Sequence, residues 1–197
     1  MDSNQSSLKP EFDSTISRIK RAGRKIKEKI KEFTGNLSFE QQEESNEILQ
    51  QQIAKKFMKL TEDQKDIPII KAWELLKILN DSTLVLIDTR QPYEQEVSMI
   101  PGAYTPLQFA KKYNTPASLE KKKIVTYCTI GYRSGEYAGE LIAHKIKVFN
   151  LEGGILSWSH NNGPLVTIEK GRKRPSKKVH IYDKEWNYLH SDYIAIW

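Results

Sequence analysis

The chain has 197 residues, with 31 Lys and Arg against 25 Asp and Glu, a formal charge of +6. Its hydrophobic content, 38%, lies below the roughly 45–50% of an ordinary globular domain (a figure that also counts glycine) and fits one core domain carrying polar extensions. No run approaches about 18 apolar residues, which excludes a spanning helix, and the single cysteine, Cys128, excludes a disulfide scaffold and a multi-cysteine zinc site.

Residues 1–13 are polar and read as a disordered tail. They hold no apolar stretch of the secretory kind, so a cytoplasmic location is expected, with organelle targeting and peripheral membrane association left open. Residues 14–63 read as a helical extension. Ile16, Ile19, Ala22, Ile26, Ile30 and Phe33 recur at helical spacing among a crowd of lysines and arginines. A second helix is expected from Phe39 to Leu60, with Ser38 and Gln41 at capping-box spacing. The basic helix over 14–33 is most simply a solvated tail or a helix packed on its own domain. An anionic membrane or an acidic partner is the sharper alternative.

Residues 64–168 read as the core. Leu84–Asp88 and Ile124–Cys128 are short apolar runs that fit strands buried on both faces. A helix from Ser134 to about His144 and a third strand, Lys147–Leu151, follow. Strands alternating with helices predict βαβ units and a mostly parallel sheet, with the site outside the carboxyl ends of the strands. Cys128 stands at such an end. Residues 169–197 read as a basic linker, Lys170 to Lys178, and an aromatic tail. Within that tail Val179–Tyr182 fits an extra strand. The tail is too apolar to be disordered and is expected to fold back over the core, with an exposed aromatic partner site as the alternative. The basic run lacks the interleaved aromatics of a nucleic-acid platform, so no nucleic-acid partner is expected. The four histidines are scattered and are expected at the surface, and no metal site is expected.

The chemistry is concentrated in Cys128-Thr129-Ile130-Gly131-Tyr132-Arg133-Ser134-Gly135. A strand-to-helix turn can curl its amides around the Cys sulfur while the helix adds the positive end of its dipole. Both features stabilise an anion. Gly131 allows a positive φ and a close approach, and Arg133 supplies a fixed charge. A buried, inert structural cysteine is the bland reading, and the company of Gly131, Arg133 and Ser134 weighs against it.

These residues resemble the active-site loop of the rhodanese family. Leu86-Ile87-Asp88-Thr89-Arg90-Gln91-Pro92-Tyr93-Glu94, followed by Ile100-Pro101-Gly102-Ala103, is similar to the family's upstream signature, and Gly153-Gly154-Ile155-Leu156-Ser157-Trp158 to its downstream one. The resemblance covers about residues 66–165. It departs from the family at Ser98-Met99, where Gly-His is usual. The resemblance implies an α/β, rhodanese-like, doubly wound fold with a mostly parallel five-stranded sheet flanked by helices. It also implies sulfur transfer: Cys128 takes a sulfane sulfur from a donor such as thiosulfate or a protein persulfide and passes it to a thiol, cyanide or protein acceptor, with no cofactor. The alternative is a non-catalytic interaction or targeting module recruited by the basic N-terminal helix. The Cys-x4-Arg loop is one residue shorter than that of related phosphatases, which disfavours phosphate chemistry.

The loop residues Thr129, Ile130, Gly131, Tyr132, Arg133 and Ser134 are therefore the candidate persulfide-binding set, with Ile130 and Tyr132 lining the pocket. Glu94 is expected at the pocket rim. Asp88 and Arg90 are expected as a structural ion pair, Gly153 and Gly154 as a tight connection, and Trp158 as a packing anchor. Tyr127, one residue before Cys128, should point away from it into the core.

Overall fold

The computed structural model describes residues 39–197. The basic segment 14–33 lies outside the described residues. The chain divides into two units, Met1–Glu44 and Ser45–Trp197. Among the described residues no helix is long and apolar enough to cross a membrane.

A long helix, α1 (Phe39–Leu60), leads into the domain. The central sheet follows from strands β1 (Ile69–Ile70), β2 (Leu84–Asp88), β3 (Lys123–Tyr127) and β4 (Val148–Leu151), all parallel, in the order β1-β4-β3-β2. Between them run α2 (Ala72–Lys77), α3 (Pro92–Val97), α4 (Pro106–Lys112), α5 (Pro116–Leu119) and α6 (Tyr132–Ala143). A short α7 (Gly154–Ser159) follows β4. The expected five-stranded sheet is thus four strands plus a fifth place only one residue wide. There Tyr104 pairs with Ile87, its carbonyl accepting from Asp88 N and its amide donating to Leu86 O. Pro101 and Pro106 flank this bridge, and proline cannot donate to a ladder, which limits any longer strand.

Alternation along β2 and β3 sends side chains to two separate cores. Leu86, Val125 and Tyr127 pack on one face with Ile155, Leu156 and Trp158. Val85, Ile87, Ile124 and Val148 pack on the other with Phe109, Ala138 and Leu141. Burial on both faces is why these strands read as continuous apolar runs. Their register sets Asp88 beside Tyr127, so the loops after β2 and β3 leave the same edge of the sheet.

Two small sheets complete the domain. The expected basic linker is instead mostly a strand: β6 (Arg172–Ser176) pairs antiparallel with β5 (Leu165–Glu169), the two joined through Lys170 and Gly171 in left-handed conformation. The charges stay solvated because every side chain from Arg172 to Arg174 is exposed. Beyond it, β7 (Lys178–His180) pairs in parallel with β8 (Ile194–Ile196). Val179, Ile181, Leu189 and Tyr193 are buried in the first core, and Tyr193 Oη donates to Gly163 O at 2.7 Å. The C-terminal segment is part of the folded domain.

Three of the four histidines are not the surface residues expected. His180 and His190 are buried, and His160 is half-buried with Nε2 at 2.8 Å from Tyr188 O. Tail packing covers these side chains. Trp158 is fully buried, with Nε1 donating to Pro164 O at 3.0 Å. Trp158→Ala is expected to lower the unfolding free energy by about 3–5 kcal/mol, the range for truncating a buried Trp. Urea unfolding followed by far-UV circular dichroism measures this.

Candidate active site

The site begins with the connection from β3 to α6. Cys128 is buried at the strand end, and Gly131 N donates to its Sγ at 3.1 Å. Gly131 stands at φ +112°, and a Cβ there would lie 2.5 Å from the Phe57 ring. Both facts require glycine. The outward-facing carbonyls of the loop are taken up elsewhere. Ile155 N donates to Cys128 O at 2.9 Å, and Asn150 Nδ2 donates to Gly131 O at 2.7 Å. The Gly153-Gly154 turn makes the first contact feasible, since a Cβ on Gly154 would meet Cys128 O at 2.4 Å. The helix α6 starts at Tyr132, so its N-terminal dipole end lies at the sulfur's loop.

Ser134 proves to be a support rather than a pocket residue, while Thr129 both lines the cavity and braces its neighbours. Ser134 Oγ donates to Asn150 Oδ1 at 2.7 Å and is fully buried. Thr129 Oγ1 donates to Glu94 Oε1 at 3.2 Å and accepts from Arg133 Nη2 at 3.0 Å. Ile130, Tyr132 and Arg133 do line the cavity over Cys128, which measures about 230 Å³.

Glu94 is not at the rim. It is completely buried and forms a bidentate pair with Arg133, Oε2 to Nη1 at 2.7 Å and Oε1 to Nη2 at 3.0 Å. Its Oε2 also accepts from Gln91 N at 2.9 Å. The reason is local. Pro92 opens α3, and the third helical residue turns its carboxylate back onto the helix start. The Gln91-Pro92-x-Glu94 spacing carried this signal. Burial opposes the charge on Glu94, yet the Arg133 hydrogen bonds and the Gln91 amide outweigh it and hold the carboxyl below its usual range. Burial likewise opposes the charge on Arg133, while Glu94 and the neighbouring Cys128 raise its pKa.

A second buried pair braces the same edge. Asp88 Oδ2 accepts from Arg90 Nη2 at 2.7 Å and from Tyr127 Oη at 2.8 Å, and Ile100 N donates to Tyr127 Oη at 3.0 Å. Burial first, then the Asp88 charge, pushes the Tyr127 phenol well above its ordinary value, so it stays a donor. Tyr127 is core, as alternation requires. Sequence reasoning missed Asn150, Phe57 and Leu60, and it placed neither Tyr182 nor Trp186 at the site. Leu60, Tyr182 and Trp186 all line the cavity. Only the aromatic density of the tail hinted at the last two. Among the described residues no cluster of three or more metal-ligating side chains occurs.

Residues 71–161 match the family model of the rhodanese-like domain. The chain carries a rhodanese-like domain. Curated relatives include the tRNA uridine(34) hydroxylase of Cronobacter sakazakii, 35% identical over 108 residues, which cover 50% of this chain and 31% of that protein. The protein of the same name from Staphylococcus aureus is 33% identical over 131 residues, covering 62% of this chain and 36% of that one. The chain thus spans about a third of the length of these relatives. Among solved structures, thiosulfate sulfurtransferase from Pseudomonas aeruginosa is similar at 24% identity and a TM-score of 0.46, covering 62% of this chain and 24% of that one.

Glu94→Gln is expected to destabilise the domain by about 3 kcal/mol at pH 7, the low end of about 3–5 for breaking a buried pair, because Arg133 keeps some solvent contact. The sign of the pH dependence follows from the lowered carboxyl. The stabilisation is present above the ordinary carboxyl value of 4.5 that holds in the unfolded chain, and is lost as pH falls through the lower folded value. Thermal unfolding from pH 7 down to acid should show this loss in the parent chain and a smaller loss in the variant.

Proposed function

We propose that the rhodanese-like domain is a sulfurtransferase in which Cys128 is the nucleophile. The observation that carries this reading is the Gly131 amide donated to Cys128 Sγ at 3.1 Å, in a loop whose carbonyls are engaged on the other side. In the first step the Cys128 thiolate attacks the outer sulfur of a sulfane donor, and the donor's own sulfur leaves with the electron pair. Thiosulfate would leave as sulfite. In the second step an acceptor nucleophile, cyanide or a thiol, takes the outer sulfur and returns the thiolate. The Gly131 amide and the positive end of α6 would stabilise the persulfide anion, a preorganised field that needs no rearrangement. Arg133, held between Glu94 and Cys128, supplies the adjacent fixed charge. Ser134 keeps the loop in shape from behind, and Thr129 braces Arg133 at the cavity wall.

A second reading is RNA modification of the kind named for the curated relatives. Lys173 on β6 lines a groove of about 1100 Å³ together with Lys111 and Lys112, with exposed Arg172 and Arg174 next to it in the strand, and such a surface suits a phosphate backbone. That reading predicts salt-sensitive tRNA binding by filter retention, which charge reversal on β6 abolishes.

Thiosulfate:cyanide kinetics test the sulfurtransferase reading. Parallel double-reciprocal lines and thiocyanate formation are expected for the parent chain, and only background for Cys128→Ser. Arg133→Ala is expected to lower kcat/KM roughly a hundredfold, the scale of losing one preorganised donor. Normal turnover by Cys128→Ser would overturn the assignment.

A further inference from the structure

The cavity above Cys128 has a roof supplied by the C-terminal segment, and that roof is aromatic. Tyr182 and Trp186 line it beside Leu60, Ile130 and Tyr132. At about 230 Å³ the space falls short of the ~300–1,000 Å³ of drug-sized sites and suits one ring or a short chain.

Tyr182 is held there at some cost. Its φ is +72°, and Asp183 N donates to Ile181 O across it at 2.9 Å, a γ-turn of the strained kind. Tyr182 N donates to His180 Nδ1 at 3.1 Å. The His180 ring packs edge-on against Tyr93 of α3, centroids 5.1 Å apart. Ser98 Oγ donates to Lys178 O at 2.5 Å, so one of the two residues that depart from the family pattern is the one that ties down this segment. Trp186 is pinned by Lys56, whose Nζ lies 4.6 Å from the ring centroid and 5.2 Å from that of Tyr188. The roof is held through its backbone and edges, while the Tyr182 ring itself stays 57% exposed.

The charge at the site is also unusual for an inorganic donor. The Arg133 guanidinium lies 5.6 Å from the Tyr182 ring centroid and is matched by Glu94 on its other side. That pair is neutral as a unit, so the Cys128 anion rests on the Gly131 amide and the start of α6 rather than on a free cation. Thiosulfate would bring two more negative charges into this space, whereas an organic hydropersulfide brings at most one and buries apolar surface.

We propose that Tyr182 and Trp186 determine donor choice at Cys128, and that the donor they fit is a carbon-bound hydropersulfide, R–S–SH, whose R group is aromatic or apolar next to the sulfur. This rests on the sulfurtransferase reading above. The Cys128 thiolate bonds to the outer sulfur of R–S–SH and the S–S bond of the donor breaks. The electron pair departs with R–S⁻, and Cys128 becomes a hydropersulfide. The step exchanges one S–S bond for another, with no net oxidation.

The test measures the rate of single-sulfur loading of the full chain by intact-protein mass, with benzyl hydropersulfide and with thiosulfate. The ratio of the two rates is compared between the parent chain and variants, so the intrinsic reactivity of each donor cancels. Tyr182→Ala with Trp186→Ala is expected to lower the benzyl-to-thiosulfate ratio about tenfold, the combined scale of two aromatic contacts. Tyr182→Phe with Trp186→Phe is expected to restore most of it, which a purely structural role for these side chains would not produce. Where the double alanine variant lacks a cooperative melt, the single alanine variants carry the same comparison. An unchanged ratio, or a ratio that the phenylalanine pair fails to restore, overturns the proposal. Loading from neither donor in the parent chain overturns the sulfurtransferase reading, and the donor proposal with it.

Discussion

The orientation of the peptide groups between Cys128 and Gly131 is the constraint on which the site depends. An amide can face the sulfur only if the carbonyls of the same turn face away and find donors there. α7 and Asn150 provide those donors, by way of Ile155 N and Asn150 Nδ2. Three consequences follow for the sequence. Gly154 must lack a side chain to let α7 approach, Gly131 must accept a positive φ, and β4 must place Asn150 next to the loop. The parallel pairing of β3 with β4, with Thr126 opposite Asn150, is what brings these distant residues together.

Two buried ion pairs brace the edge of the sheet, and they do different work. Asp88 and Arg90 are both sealed from solvent. Their network, through Tyr127 Oη and Ser98 O, fixes the path of the segment that leads to Ile100. Burial opposes the charge on Arg90, but Asp88 prevails and raises its pKa further. Glu94 and Arg133 join α3 to the start of α6 instead, and Arg133 remains partly open toward the cavity. Buried pairs of this kind add little net stability relative to apolar residues, and are costly mainly when one partner is removed. Their value here is positional: each holds a loop that carries chemistry or its cover.

Much of this arrangement is legible in the sequence. The doubly buried strands appear as apolar runs, the alternation at Tyr127 predicts its inward aim, and the three glycine- and proline-marked motifs locate the loops. The aspects that elude sequence reading are those set by tertiary contact. Glu94 is charged and sits at a helix start, which suggests exposure. The Gln91-Pro92-x-Glu94 spacing turns its carboxylate back on the helix start, and Arg133, 39 residues later, completes its burial. Ser134 looks like a loop polar group open to substrate, but Asn150 claims its hydroxyl; Thr129 does line the cavity, with its hydroxyl tied to the Glu94–Arg133 pair. The basic run near Arg172 has the charge of a linker. Its pairing with Leu165–Glu169 depends on a two-residue turn in left-handed conformation at Lys170-Gly171. The aromatic tail was recognisable as folded matter, but nothing local aimed Tyr182 at Cys128.

The central claim is that this turn makes Cys128 a carrier of sulfane sulfur. The most direct measurement is the intact mass of the full chain after exposure to a sulfane donor, thiosulfate and benzyl hydropersulfide in separate samples, followed by cyanide. The account predicts the gain of one sulfur atom, located at Cys128 by peptide mapping and removed by cyanide. A chain that gains no sulfur from either donor, while iodoacetamide still alkylates Cys128, would contradict it.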